Sequence, residues 1–164
     1  MELLLTGQNN NFEFNKGVNF MNVQKKIKLT ALTCEDLKIF SYLCQDGIFS
    51  KDELMFDKKE YLFLATFSRY CWEKNKKNTL KDSKINYRVI SGMQIKNVKK
   101  VDYINFDNVL DINFLNLLLI SYKNKKITLH FSSSVKIILI IDKVFGVLED
   151  IDIPWPTKLK PNHK

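Results

Sequence analysis

The run Ile112-Asn113-Phe114-Leu115-Asn116-Leu117-Leu118-Leu119-Ile120-Ser121-Tyr122 decides how the rest of the chain is read. Its apolar residues fall on both parities, Phe114, Leu118 and Ile120 against Leu115, Leu117 and Leu119, the pattern of a strand buried on both faces and set mid-sheet. Lys123-Asn124-Lys125 supplies a polar turn. Ile127, Leu129 and Phe131 then alternate with Lys126, Thr128 and His130, so a half-exposed strand returns antiparallel and completes a hairpin. Val135 to Ile141 makes a third apolar run. Asp142 can cap a helix whose Val144, Val147, Leu148 and Ile151 share one face. Three strands and a covering helix give a hydrophobic centre, and none of these residues assigns a chemistry.

Upstream, Thr33 with Asp36 three residues on forms a capping box for a helix over Cys34 to Asp46, with Leu37, Phe40, Leu43 and Cys44 on one face and Gly47 as the stop. Gly47 to Phe49 and Glu53 to Phe56 are short strands, and Asp57 to Glu60 turns into the long alternation of Tyr61 to Trp72. Glu73 to Lys84 is nearly free of apolar residues and reads as a loop. Ile85 to Lys96 is an amphipathic strand with a bulge at Ser91-Gly92. Pro154-Trp155-Pro156 excludes helix, so the tail from 154 to 164 runs extended. Residues 1–26 are Asn-rich and without periodicity, which reads as disorder, and Met21 is an alternative start.

The chain has 164 residues, a formal net charge of +8 and three cysteines, Cys34, Cys44 and Cys71, without a CxxC pair. That length suits one domain with its own core, here residues 27–153, and an odd cysteine count without a leader points to a reducing, cytoplasmic setting. The apolar stretches are too short for a spanning helix. Only Arg69 and Arg88 are Arg among 26 basic residues; the rest are Lys. Abundant Lys, Asn, Ile and Phe with little Ala or Gly is the mark of AT-rich coding, so composition by itself accounts for the charge.

Candidate ligand or interaction residues are Asp46, Arg69, Trp72, Glu73 and Trp155. Arg69 beside Trp72 has the chemistry to hold an anion by a bidentate contact plus stacking, although a strand-end salt bridge with a packed Trp is the commoner use of the same residues. Gln45-Asp46 suits turn hydrogen bonding. Lys74, Lys76, Lys77, Lys81 and Lys84 form a candidate anion-binding loop, which lacks the interleaved aromatics that nucleic-acid stacking uses. Trp155 between prolines either lies in a groove of its own domain or docks on a partner. His130 and His163 lack metal-ligand spacing, and no nucleophile elbow, P-loop or dinucleotide glycine pattern occurs, so no metal, cofactor or catalytic residue is assigned.

Several separated pieces carry a resemblance: Leu29-Thr30-Ala31-Leu32, Asp36-Leu37, Ser41 and Gln45-Asp46; Arg69 with Trp72-Glu73; Arg88-Val89 with Ser91; Leu115 to Ile120; and Pro154-Trp155 with Thr157, Pro161 and His163. In this order, over Leu29 to His163, the chain resembles an alphaproteobacterial family catalogued as domain of unknown function 2948. Lys stands at many positions where that family looks Arg-rich, and residues 1–26 match nothing. The resemblance implies no activity, cofactor or catalytic residue.

The expected fold is α+β: an antiparallel sheet or a PH-like, partly open barrel of about seven strands, with an N-terminal helix and a C-terminal covering helix. The expected function is a cytoplasmic, non-catalytic binding or protein-interaction module with an unknown protein partner. The alternative is a nucleic-acid-associated basic protein. An enzyme using Arg69, Glu73 and His130 ranks below both.

Overall fold

The computed structural model describes residues 26–75, 85–107 and 113–161. Ten strands, β1 (Lys28–Ala31), β2 (Ile48–Asp57), β3 (Leu62–Tyr70), β4 (Asn86–Ile95), β5 (Val98–Ile104), β6 (Phe114–Lys123), β7 (Lys126–Phe131), β8 (Lys136–Ile141), β9 (Gly146–Asp150) and β10 (Trp155–Thr157), pair antiparallel. Their order is β1-β9-β4-β3-β2-β6-β7-β8-β5, with β10 also on β4. The sheet curls far enough that the first residue of its last strand reaches the β2–β3 turn, where Val98 N donates to Tyr61 O at 2.9 Å. One core fills the concave side: Phe49 stacks on Phe67 at 4.1 Å and meets Phe131 edge-on at 5.3 Å.

Helix α1 (Cys34–Cys44) lies between β1 and β2. Its start is fixed by a capping box, in which Thr33 Oγ1 accepts from Asp36 N at 3.2 Å and Asp36 Oδ2 accepts from Thr33 N at 2.9 Å. Leu37, Phe40, Leu43 and Cys44 bury its inner face. Its end departs from the expected pattern, because the left-handed residue is Asp46, at φ 60°, and Gly47 has no positive φ. Gly47 is needed for space: a Cβ there would lie 2.8 Å from Cys44 O and 2.9 Å from the Phe67 ring.

The expected α+β class, with a helix at each end, is overturned. Beyond α1 the described residues add one four-residue helical turn, α2 (Trp72–Asn75), and a short 3-10 turn at Ser132–Ser134. The expected C-terminal helix is β9, which pairs with both β1 and β4. Val144, Val147, Leu148 and Ile151 match a helical stripe, but the inward row of this strand is Gly146, Leu148 and Asp150, whose mixed character hides the strand period. The expected PH-like barrel of about seven strands gives way to ten strands among the described residues, β9 and β10 arising from segments read as helix and tail and β1 from one, Ile27 to Leu32, that reads equally as a short edge strand or an extended lead-in.

The deciding run is also corrected. Strand β6 is paired on both sides, by β2 and β7, but buries one face only: Leu115, Leu117 and Ile120 are inside while Phe114, Leu118 and Leu119 are exposed. A bulge between Leu117 and Leu119 switches the inward parity, which puts apolar residues on both parities without a second core. Past the end of the β2 pairing, Ile120 N donates to Ser41 Oγ of α1 at 2.8 Å. In β4 the pairing with β3 runs through Ser91-Gly92 in unbroken register, so the expected bulge is absent. The turn at Asn124-Lys125, with φ of 49° and 59°, is of the primed kind that suits a right-twisted hairpin.

Candidate functional site

The sequence places two arginines among 26 basic residues, and the fold brings both to the same end of the sheet, on opposite faces. Arg69 continues the inward row Phe63, Ala65, Phe67 of β3, which would be apolar in an ordinary core strand. Ser91 of β4 and Asp150 of β9 lie on the same inward side and are Cα partners across the sheet. An arginine, a serine and an aspartate therefore replace the core where the sheet ends.

Arg69 is fully buried and grips two carboxylates. Its Nε and Nη2 donate to Asp150 Oδ1 and Oδ2 at 3.1 and 2.9 Å, and its Nη1 and Nη2 to Glu73 Oε2 and Oε1 at 2.9 and 3.0 Å. Both pairs are bidentate, the geometry that guanidinium supplies and ammonium does not. Asp150 is further held by Ser91 Oγ at 2.7 Å and by Ile27 N at 3.0 Å, and its own amide donates to Ile27 O at 2.8 Å. Burial alone would raise the Asp150 carboxyl, but the bonds from Arg69, Ser91 and the Ile27 amide outweigh it and hold it below its ordinary value. Burial likewise disfavours the Arg69 charge, yet Glu73 and Asp150 keep its pKa raised. Nearby, burial pushes the Cys44 thiol far up and the Cys71 thiol up to about 11. The clasp ties β1, β3, β4, β9 and α2 together.

On the outer face, Tyr70 of β3, Arg88 of β4 and Trp155 of β10 are successive Cα partners and form a cross-strand row. Tyr70 is buried, donates to Asn86 Oδ1 at 2.7 Å, and meets Trp72 edge-on at 4.6 Å. The Arg88 guanidinium lies over the Tyr70 ring at 5.7 Å. It donates to Ser68 O at 3.0 Å and to Asp46 O at 3.2 Å, while Trp72 Nε1 donates to Gln45 O at 3.0 Å. Two side chains thus pin successive carbonyls of the turn from α1 into β2.

Unlike Arg69, Arg88 has no carboxylate within salt-bridge range among the described residues. Burial pulls its pKa below the ordinary value, with the through-space attraction of Asp46 only partly opposing. It remains half-buried, with Trp155 exposed beside it.

The candidate residues therefore divide. Arg69 and Glu73 belong to the inner clasp; Asp46, itself buried, gives its carbonyl to Arg88, Trp155 is the cross-strand partner of Arg88, and Trp72 meets Tyr70 and binds Gln45 O. Lys74 is in α2, and Lys76, Lys77, Lys81 and Lys84 lie outside the described residues. His130 is on the outward side of β7, where its Nε2 lies 2.8 Å from Ser121 Oγ, and does not converge with Arg69 and Glu73. Residues missed in the sequence are Asp150, Ser91 and Arg88. Asp150 stands among Glu149, Ile151 and Asp152, where the sequence gives no signal that sets it apart, whereas the rarity of Arg was the signal for Arg88. Among the described residues no group of three His, Cys, Asp or Glu is placed to hold a metal ion, and no helix is long and apolar enough to cross a membrane.

These features define a class: a curled antiparallel sheet with a capped helix, an internal arginine–dicarboxylate clasp and an outward arginine in a row between Tyr70 and Trp155. The chain belongs to the family described as Protein of unknown function (DUF2948), whose model matches residues 27–163. No match was found among curated proteins or among solved structures.

Proposed function

We propose that this chain is a non-catalytic binding module whose ligand surface is the outer side of the sheet end, around Arg88, Trp72 and Trp155. The observation that carries the reading is Arg88. Desolvating a guanidinium is costly unless a partner compensates, and among the described residues the compensation is two backbone carbonyls, a tyrosine ring and the through-space attraction of Asp46, with no ion pair. An anion arriving at Arg88 supplies the missing charge. The internal clasp has the complementary role of fixing β3, β4 and β9 so that the outer row keeps its spacing.

The test is thermal unfolding with small organic anions, benzoate and adenosine monophosphate, against sodium chloride at matched ionic strength. Either anion raises the midpoint of the native protein and does not raise that of Arg88→Gln. Equal shifts in the two proteins, or none in the native protein, contradict the reading.

A further inference from the structure

We infer that the ligand taken at this surface is single-stranded nucleic acid, with Arg88 on a backbone phosphate and Trp155 under a base. The inference rests on the binding-surface reading above and adds its ligand class.

Three observations support it. The first is the juxtaposition of unlike groups. Arg88 and Trp155 face the same side as antiparallel partners, which sets their Cβ atoms about 5 Å apart. A cation and an exposed indole at that spacing match a nucleotide, which carries a charged backbone and a flat base in adjacent positions. The second is donor supply. A guanidinium has five N–H groups, and the bonds to Ser68 O and Asp46 O engage one on each terminal nitrogen. With Tyr70 beneath one face, the remaining edge is what a phosphate meets. The third is the charge. Lys158 and Lys160, both exposed, follow β10 within five residues of Trp155, on a chain whose net charge is +8. Of the acidic groups described near this end of the sheet, Glu73 is paired with Arg69, Asp46 is buried and attracts Arg88 through space, and Asp152 is exposed with its Oδ1 accepting from Ile153 N.

A single strand is favoured over a duplex because an indole can stack only on a base whose face is free. The fold brings the stacking ring to the arginine from a distance, since β10 returns Trp155 from the far end of the chain to β4, beside Arg88.

The test is fluorescence anisotropy of the full chain with a labelled oligothymidylate of roughly twelve nucleotides, within the span of one binding domain. The same strand as a duplex, and polyglutamate as competitor, are run alongside. The expected result is binding that weakens between about 50 and 200 mM salt, prefers the single strand, and is not competed by polyglutamate at equal charge. Arg88→Gln and Trp155→Ala each weaken it about tenfold, Arg88→Lys less than Arg88→Gln, and Lys126→Gln on the distant β6–β7 hairpin less than about twofold. Trp155 lies on a three-residue edge strand outside the core, so its variant folds even if a change at Arg88 disturbs the turn. Equal losses for Trp155→Ala and Lys126→Gln, tighter duplex binding, or displacement by polyglutamate overturns the inference. If no oligonucleotide binds while benzoate or adenosine monophosphate still stabilises through Arg88, the nucleic-acid inference falls and the binding surface stands. If neither acts, both fall.

Discussion

Replacing Asp150 with Asn changes no volume to speak of and removes one charge from a site where the Asp150 side chain is 2% and Arg69 0% exposed. The carboxylate accepts two bonds from Arg69, one from Ser91 Oγ and one from Ile27 N. A carboxamide has a single acceptor oxygen, so in either orientation its NH2 faces an Arg69 N–H, and in one of them the Ile27 amide as well. Arg69 then keeps Glu73 as its only ion-pair partner among the described residues, and Glu73 is 31% exposed and partly screened. Losing one partner of a buried, fully bonded pair costs about 3–5 kcal/mol, which at this chain length lowers the melting temperature by roughly 6–20 °C. Chemical denaturation followed by circular dichroism measures it. The acid limb of stability supplies a second readout. The folded Asp150 pKa is held below its unfolded value, so its contribution is complete above pH about 4 and is lost as pH falls through the folded value. Asp150→Asn removes that part of the dependence. A loss under about 1 kcal/mol, or an unchanged acid limb, refutes the reasoning.

Further outcomes follow from the same geometry. The paired change Arg69→Met with Asp150→Leu costs less than either single change, because no uncompensated buried charge remains; a double-mutant cycle measures the difference. Gly47→Ala destabilises by about 1–3 kcal/mol, since its Cβ collides with Cys44 O and the Phe67 ring, as denaturation midpoints will report. Trp72→Phe keeps most of the ring and removes the donor to Gln45 O, at a cost of about 1 kcal/mol in the same assay. Disulfide-exchange labelling of the native protein at pH about 8 modifies exposed Cys34 alone, because burial raises the other two thiols; mass mapping of the label checks this.

Much of the strand content was legible because local chemistry and tertiary placement agree. The inward rows of β3, β4 and β7 alternate as half-buried strands do, and Thr33 with Asp36 marked the start of α1 correctly. The misreadings of β9 and β6 share one physical cause, an inward apolar row that is interrupted. In β9 the inward positions hold Gly146 and Asp150, so the surviving apolar residues fall on helical spacing. In β6 a bulge shifts the parity midway, which reads as burial on both faces. The clasp was half visible, since Arg69 and Glu73 stand four apart, while Asp150 lies 81 residues away from Arg69 and only sheet pairing brings it there. Arg88 reads as one more polar outward residue until the β10 pairing places Trp155 beside it.

The account turns on one arginine being consumed inside the protein and the other being offered outward. Because the chain has only two, nitrogen-15 correlation spectra of the arginine Nε–H groups hold two assignable signals. On titration with oligothymidylate, the Arg88 signal shifts progressively and the Arg69 signal, slow to exchange with solvent, stays in place. Movement of Arg69, or stasis of both, contradicts the account.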